Sequence, residues 1–282
     1  DKLLVASGSE TGLIKLWNAA DGSDRLSLAG HAGAVRDVAI RPDGKQIASA
    51  GADGTIRIWN LPIAPTTVAG HTMPVTDVAV DPKGTLMATA SADGTVRISQ
   101  VADGKFVRAL VGHKGAVNAV SFSNTGTHIA TGGADGTARL WTVADGKQTA
   151  IFEHGSVVSA VLAVGVGTQV ISGGTDKFVR QWDPVAKPDE ETKKVKPLRE
   201  ISGHTAAIIS LALTGTTLAS GSADKTVKLW NSATGAAVRT ITHPVAVSSI
   251  AFSPNGTQIV VTGADPAVKI YTVANGSAVA TL

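Results

Sequence analysis

Residues 30–59 read GHAGAVRDVAIRPDGKQIASAGADGTIRIW. Apolar and polar side chains alternate over Val35–Ile40, the turn Arg41-Pro42-Asp43-Gly44 interrupts them, and the alternation resumes over Gln46–Ser49. A second turn, Ala52-Asp53-Gly54, leads into Thr55–Trp59. A period of two belongs to a strand whose side chains face opposite sides of a sheet in turn. Pro fixes φ and Gly admits positive φ, as tight hairpins require. The stretch therefore predicts antiparallel strands on short turns. No helical pattern of useful length appears anywhere in the chain.

The pattern recurs. All five tryptophans, Trp17, Trp59, Trp141, Trp182 and Trp230, fall at one phase of a repeat, with Ser99 and Tyr271 in the two remaining slots. Successive slots are 42, 40, 42, 41, 48 and 41 residues apart. Six residues before a slot stands Asp53, Asp93, Asp135, Asp176, Asp224 or Asp265, and Thr11 in the first unit. A histidine precedes each of those aspartates by 22 residues (His31, His71, His113, His154 and His243) or by 20 (His204). Only His128 lies outside this register. Turns of the Asp-Gly or Asn-Gly kind recur at Asp93-Gly94, Asp103-Gly104, Asp135-Gly136, Asp145-Gly146 and Asn255-Gly256. Four short strands per unit make an antiparallel meander, and a fixed period of this length marks a repeat architecture.

Bulk properties fit one folded unit. The chain has 282 residues, 43% hydrophobic and 17% charged, with a mean hydropathy of +0.17, which is globular and not disordered composition. A chain of this size buries roughly three quarters of its unfolded surface. Closed all-β architectures of this length often form a single domain. The 31 glycines and 4% aromatics suit many short strands. A net charge of +3, from 25 basic and 22 acidic residues, makes no phosphate-binding stripe, so no nucleic-acid partner is expected. The absence of cysteine excludes disulfides, thiolate metal sites and a cysteine nucleophile. No apolar run reaches the ~18 residues of a membrane-spanning helix, so no membrane insertion is expected. The opening Asp1-Lys2-Leu3-Leu4-Val5 is neither an initiator Met nor a signal peptide and reads as the middle of a domain. The compartment stays open, with the cytoplasm favoured.

Gly30-His31, Gly70-His71, Gly112-His113 and Gly203-His204, with Asp and Trp downstream at fixed distances, resemble the WD-repeat family over essentially the whole chain. Glu153-His154 and Thr242-His243 lack the Gly, and only Trp182-Asp183 keeps the literal Trp-Asp pair. The resemblance implies four-stranded antiparallel blades around a central channel, each packed on its neighbours. Seven slots then imply an all-β, seven-bladed β-propeller, one domain over residues 1–282. Residues 3–7, 13–17 and 24–28 read as the second, third and fourth strands of the first blade (residues 1–29), with Asp1 aligned to Asp43. That blade lacks its innermost strand, and Ser277–Leu282 matches the outer strand Lys105–Leu110 and does not supply it. The expectations are a parent chain extending beyond these residues, a three-stranded first blade, or completion by another molecule.

By the same resemblance, the Ser or Thr ten residues before each Trp slot joins His, Asp and Trp in a hydrogen-bonded set. The sets are His31, Ser49, Asp53 and Trp59; His113, Thr131, Asp135 and Trp141; His154, Ser172, Asp176 and Trp182; and His204, Ser220, Asp224 and Trp230. His71, Thr89 and Asp93 meet Ser99 instead of Trp, His243 and Asp265 meet Tyr271 with Val261 in the hydroxyl position, and the first unit keeps Ser7 and Trp17. One reading is a row of nucleophilic triads. The other is a brace that satisfies polar groups in each blade. Near-copies in successive units favour the brace, since an active site is needed once, and no Gly-x-Ser-x-Gly elbow is present. No catalytic residue is assigned. No cofactor or metal is expected either: no His pair sits at i,i+4 on a helix, the Asp-Gly turns lack the carboxylate density of calcium loops, and no phosphate loop opens a helix. His128 reads as a strand residue.

Residues 184–200, whose core is the loop 184–197, form the one insertion, a charged and Pro-containing loop between the third and fourth strands of its blade. In the family, partners dock on the face bearing the Gly-His loops, through positions three and five after the His and the one before the Asp. Those positions are mostly small here, and the candidate partner-binding residues are Arg36, Met73, Lys114, Asn118 and Ile209. The expected function is a non-catalytic protein-protein interaction scaffold or regulatory module, within a multidomain chain of bacterial origin. The alternative is a propeller whose channel mouth binds a small ligand or supports an enzyme domain encoded elsewhere.

Overall fold

Each alternating stretch forms a strand. The computed structural model describes residues 4–18, 22–61, 65–165, 169–187, 189, 194–265 and 267–282, and these hold 27 strands and no helix. The first sheet contains β1 (Leu4–Gly8), β2 (Leu13–Asn18) and β3 (Asp24–Ala29). The second contains β4 (Val35–Ile40), β5 (Gln46–Gly51), β6 (Ile56–Asn60) and β7 (Pro65–Val68). The third contains β8 (Val75–Val80), β9 (Leu86–Ser91), β10 (Thr95–Gln100) and β11 (Phe106–Val111). The fourth contains β12 (Val117–Phe122), β13 (His128–Gly133), β14 (Thr137–Thr142) and β15 (Gln148–Glu153). The fifth contains β16 (Val158–Val164), β17 (Gln169–Gly174), β18 (Val179–Trp182) and β19 (Arg199–Ile201). The sixth contains β20 (Ile208–Thr214), β21 (Thr217–Ser222), β22 (Thr226–Asn231) and β23 (Ala237–Thr242). The last contains β24 (Val247–Phe252), β25 (Gln258–Gly263), β26 (Lys269–Thr272) and β27 (Ala278–Thr281). Every sheet is an antiparallel meander in chain order. The architecture is a seven-bladed β-propeller whose first blade has three strands.

The second strand of each blade explains the close stacking. β5 is buried at every position, although its sequence is mostly Ala, Ser and Gly. Side chains that small let the next blade approach. A Cβ on Gly132 would lie 2.5 Å from Val158 Cγ1 of the following blade, and one on Gly221 would lie 2.6 Å from Val247 Cγ1. The core accordingly lies between blades. Ala88, Ala90, Val96 and Ile98 of the third blade bury Val117, Val120 and Trp141 of the fourth. Equivalent clusters join the fourth blade to the fifth, the fifth to the sixth and the sixth to the last. The first two junctions are filled around Trp59 and around Val75 and Met87.

Two irregularities position side chains. In each described innermost strand the register slips after the first residue, as between Val35 and Asp37 or between Val117 and Ala119. A bulge leaves its extra residue unpaired and re-aims its side chain; here those residues are Arg36, Thr76, Asn118, Ser159, Ile209 and Ser248. The insertion leaves β18 and returns at β19, and Val195 packs onto the cluster around Phe152 and Trp182. Residues 188 and 190–193 of it, and Asp1 with its alignment to Asp43, lie outside the described residues. His128 opens β13 and bonds Thr127 Oγ1 through Nδ1 at 3.0 Å.

The turns between second and third strands need a residue at positive φ. Gly54, Gly94 and Gly136 supply it, but Lys177 (φ 77°) and Lys225 (φ 67°) occupy the same place in the fifth and sixth blades. A left-handed non-glycine residue costs roughly 1–2 kcal/mol, and glycine's greater unfolded freedom returns about 0.4–1 kcal/mol of that gain. Lys177→Gly and Lys225→Gly should therefore each stabilise the fold by up to about 1 kcal/mol. Denaturant midpoints that fall in both variants would contradict this.

Candidate functional site

Each brace is organised around the hydroxyl at the middle of a second strand. Trp59 Nε1–H donates to Ser49 Oγ at 2.9 Å, and that oxygen lies 2.8 Å from His31 Nε2. His31 Nδ1 is 3.1 Å from both carboxylate oxygens of Asp53. Every donor meets an acceptor when the hydroxyl donates to Nε2 and Nδ1–H donates to Asp53, which makes the imidazole neutral. Asp53 also accepts the Ala32 and Thr55 backbone N–H groups, at 2.9 and 3.0 Å, and the Thr55 hydroxyl at 2.8 Å. The carboxylate thereby ties the loop before β4 to the turn between β5 and β6.

The same bonds recur in other blades. His113 sits between Thr131 Oγ1 (2.8 Å) and Asp135 (3.1 Å), and Trp141 donates to Thr131 at 2.9 Å. His204 sits between Ser220 (2.7 Å) and Asp224 (2.8 Å), with Trp230 donating to Ser220 at 2.8 Å. In the fifth blade the ring is turned over: His154 Nδ1 faces Ser172 at 2.9 Å and Nε2 faces Asp176 at 3.0 Å. Arg180 stands beside this ring, its Nη1 donating to Asp176 Oδ2 at 2.5 Å. Trp182 donates to Ser172 at 2.7 Å and stacks on Phe152 with centroids 5.3 Å apart.

Three blades depart from the pattern. His71 bonds Thr89 and Asp93, both at 2.9 Å, with buried Ser99 in the indole's place. His243 Nδ1 lies 3.0 Å from the Tyr271 hydroxyl, while His243 Nε2 and Asp265 Oδ1 are buried with no hydrogen-bond partner among the described residues. In the first blade Trp17 donates to Ser7 at 3.2 Å.

The electrostatics follow burial. Burial lowers the pKa of His31, His113, His154 and His204, although the partner Asp in each case pulls the other way. His243 is lowered by burial as well. Burial raises Asp53, Asp93 and Asp224, but hydrogen bonds from neighbouring N–H, Thr hydroxyl and imidazole groups outweigh it and hold each at about 2. Asp135 and Asp176 are also lowered, Asp176 with the help of Arg180. Ser49, Thr131, Ser172 and Ser220 are fully buried, so none of these hydroxyls is exposed to a substrate.

The five face residues divide. Arg36, Asn118 and Ile209 line a cavity of about 360 Å³ at the channel, together with Thr76, Ser159 and Ser248. Lys114 lines a separate cleft of about 730 Å³ with Asp135, Arg139, Glu153 and Val157. Met73 is exposed. Asn118 Nδ2 donates to Val158 O of the next blade at 3.0 Å, and Thr76 and Ser159 donate likewise to Val117 O and Ile208 O. These side chains bridge blades as well as lining the channel.

Asp37 and Asp77 escape the repeat reading. They stand in adjacent innermost strands, where other blades carry Ala119, Ala160, Ser210 and Ser249. Asp37 accepts from Val78 N–H at 3.2 Å and Asp77 from Val120 N–H at 2.7 Å. Burial, with the Asp77 carboxylate beside it, pushes Asp37 well above the ordinary carboxylate range, so Asp37 keeps the proton and donates to Asp77. The available signal was an acidic residue interrupting a position otherwise filled by Ala or Ser.

The WD domain, G-beta repeat family profile matches residues 22–60, 64–98, 104–142, 146–183, 195–231 and 235–272. The chain belongs to that family. Each matched segment opens around an outer strand and closes with the third strand of the following blade, so every repeat straddles two blades. The chain is similar to DDB1- and CUL4-associated factor 13 of Dictyostelium discoideum, 44% identical over 63 residues, 22% of this chain and 14% of that protein. Human WD repeat and SOCS box-containing protein 1 is 44% identical over 62 residues, 22% and 15% of the two chains. Rice small ribosomal subunit protein RACK1y is 44% identical over 57 residues, 20% and 17%.

Replacing Asp135 by Ala leaves His113 Nδ1–H and two backbone N–H groups without their acceptor, and should cost on the order of 1–3 kcal/mol. Chemical denaturation of the variant measures it, and a loss below a few tenths of a kcal/mol would count against the brace.

Acid should weaken the fold in two stages. The histidines bind protons less readily folded than unfolded, so their contribution is full above 6.5 and declines as pH falls below it. The lowered aspartates contribute fully above 3.8 and lose that contribution as pH falls towards about 2. Asp37 acts oppositely, since its raised pKa makes stability fall as pH rises above 3.8. Asp37→Asn, which still offers a donor to Asp77, should therefore raise the melting temperature at pH 7 and not at pH 3. A melting temperature independent of pH in the unmodified chain and unmoved by Asp37→Asn would contradict both assignments.

Proposed function

We propose that this propeller is a non-catalytic scaffold or regulatory module that docks protein partners on the face bearing the Gly-His loops. The observation that carries this reading is the disposition of the His, Asp and hydroxyl groups. They are paired with one another inside separate blades, and their hydroxyls are buried. In this reading the four complete sets are braces that hold each loop at fixed height, and no residue of the chain is catalytic.

Arg36, Met73 and Lys114 are exposed on the docking face, with Asn118 and Ile209 half-buried beside the channel. Aromatic and arginine anchors dominate binding energy at protein interfaces, and Arg36 is the one of the five that fits. Membership of the WD-repeat family supports a protein partner. No helix of the described residues is long and apolar enough to cross a membrane. The three relatives named above are eukaryotic, so they lend no support to a bacterial origin, and each match spans less than a fifth of its relative. A wider multidomain protein therefore stays a proposal.

The channel supports a second reading. Arg36 and Asp77 bring charged groups together with the protonated Asp37 in its cavity of about 360 Å³, which suits a small polar ligand better than a flat protein surface. Arg36→Glu combined with Lys114→Glu separates the two. Docking on the face requires that the double variant lose at least tenfold in affinity for partners captured by affinity purification, with the melting temperature nearly unchanged. Equal loss from Arg36→Glu alone, with Lys114→Glu silent, would favour a ligand in the channel. A partner indifferent to both changes would overturn the docking face.

A further inference from the structure

The cleft beside Lys114 is where the fourth blade departs from its sisters. It has a volume of about 730 Å³ and lies between the loop into β12, the turn from β13 to β14, the end of β15 and the loop into β16. The charges at its floor are satisfied within the blade. Asp135 accepts the Lys114 N–H at 3.0 Å and Arg139 Nη2 at 3.2 Å. Arg139 also donates through Nε to Thr137 Oγ1 at 3.0 Å and through Nη1 to Gln148 Oε1 at 2.8 Å. At the rim, Glu153 is paired with Lys194 of the insertion at 2.5 Å. No ion pair among the described residues takes up Lys114, whose side chain is exposed.

Three residues of this cleft break the repeat. Ile151 lies opposite Arg139, at a place that Ser27, Thr67, Ala109, Glu200, Thr240 and Thr281 hold in the other blades. Val157 stands three residues after His154, where the other loops carry Ala34, Pro74, Ala116, Ala207 and Ala246. Lys114 directly follows His113, where the others carry Ala32, Thr72, Gly155, Thr205 and Pro244. Each sister position is filled by a small residue, a proline or, once, a glutamate, so the blade's packing does not call for Ile, Val or Lys. Ile151 is 43% exposed and Val157 38%. A packing solution is needed in every blade, whereas a binding site is needed once. Neighbouring apolar side chains left open to water, with polar groups around them, mark such a site.

We infer that this cleft takes a peptide segment of a partner protein in which an apolar side chain is flanked by a carboxylate. Ile151 and Val157 cover the apolar side chain, and the Lys114 ammonium pairs with the carboxylate. A partner's anchor side chain gains most where it fills a pocket and excludes water. The charge pattern sets the partner's sign, because Glu153 is held by Lys194 while Lys114 is free to pair. Nucleic acid fits less well, since it is held by several Lys and Arg on successive phosphates, and Arg139 is engaged by Asp135, Thr137 and Gln148. Lys114 lies at the rim, where a charge acts mainly on the rate of association and its salt dependence. The inference rests on the proposed docking face and narrows it to the fourth blade.

The test selects short peptides from a random display library on the 282-residue chain. Enriched peptides should place Asp or Glu beside an aliphatic or aromatic residue. Ile151→Thr combined with Val157→Ala installs residues that sister blades carry; it should weaken these peptides at least tenfold and leave the melting temperature nearly unchanged. Lys114→Thr should weaken them in low salt and matter less in high salt, and Arg36→Glu should have no effect. Peptides that depend on Arg36 and ignore all three cleft residues would overturn this inference and leave the docking face standing. No enrichment, or peptides indifferent to both sets of changes, would overturn both. A marked fall in melting temperature on Ile151→Thr with Val157→Ala would show that the two side chains serve packing, and would overturn the cleft. So would a dimer of the chain that this pair of changes dissociates, which would put a second copy there. Faster hydrogen exchange over residues 184–197 in the same variant would put the chain's own insertion in the cleft and overturn the partner.

Discussion

A hydroxyl buried at the centre of a blade has an indole N–H donating into it and must find an acceptor for its own proton. Leaving either side unsatisfied in such a site would cost about 1–3 kcal/mol. The imidazole supplies the acceptor only while neutral, and the carboxylate beyond it fixes the ring by accepting the Nδ1–H hydrogen bond. The chain of bonds therefore reaches from the third strand through the second to the loop ahead of the first. A blade's entry loop cannot shift without disturbing its tryptophan, and that tryptophan is packed against the previous blade. Local hydrogen bonding and packing between blades are thus one constraint.

Repetition along the chain is staggered relative to repetition in space. Because each repeat begins around the outer strand of one blade and ends with the third strand of the next, every matched segment covalently joins two neighbours. Small second-strand residues, such as Gly132 against Val158, allow the approach on which the apolar clusters depend. The tryptophans and histidines organise the inside of a blade, and the glycines and alanines set the distance to the next one.

This division explains what could be read from the residues. Strand positions were legible because alternation is local: Val35–Ile40 is a strand with the same bounds the pattern indicates. The hydrogen-bonded partners were legible through a fixed spacing, since His31 and Asp53 are brought together by one hairpin of constant length. The inverted His154 ring was not: Arg180 beside it has counterparts Arg57, Arg97 and Arg139 in blades whose ring keeps the usual orientation, so no residue of the repeat marks the inversion. Nor was the pairing of Asp37 with Asp77, which joins strands of different blades 40 residues apart. The candidate face was placed by position alone, and the structure separates Lys114 from the channel residues because a bulge turns Arg36, Asn118 and Ile209 inward.

The weakest polar chemistry gathers at the junction of the last and first blades. The last blade has Val261 where a hydroxyl would receive the imidazole, so His243 turns to Tyr271 and leaves its Nε2 and Asp265 Oδ1 buried without partners. In the first blade the described residues keep the bond from Trp17 to Ser7. Elsewhere the brace and the apolar cluster reinforce each other, as at Trp59 and Trp141, which belong to both. Opening of a protein proceeds first where buried contacts and satisfied hydrogen bonds are fewest. A ring of blades can part at any junction, and unequal junctions select one. Among the described residues the first and last blades each keep one bond of the brace, where every other blade keeps at least two.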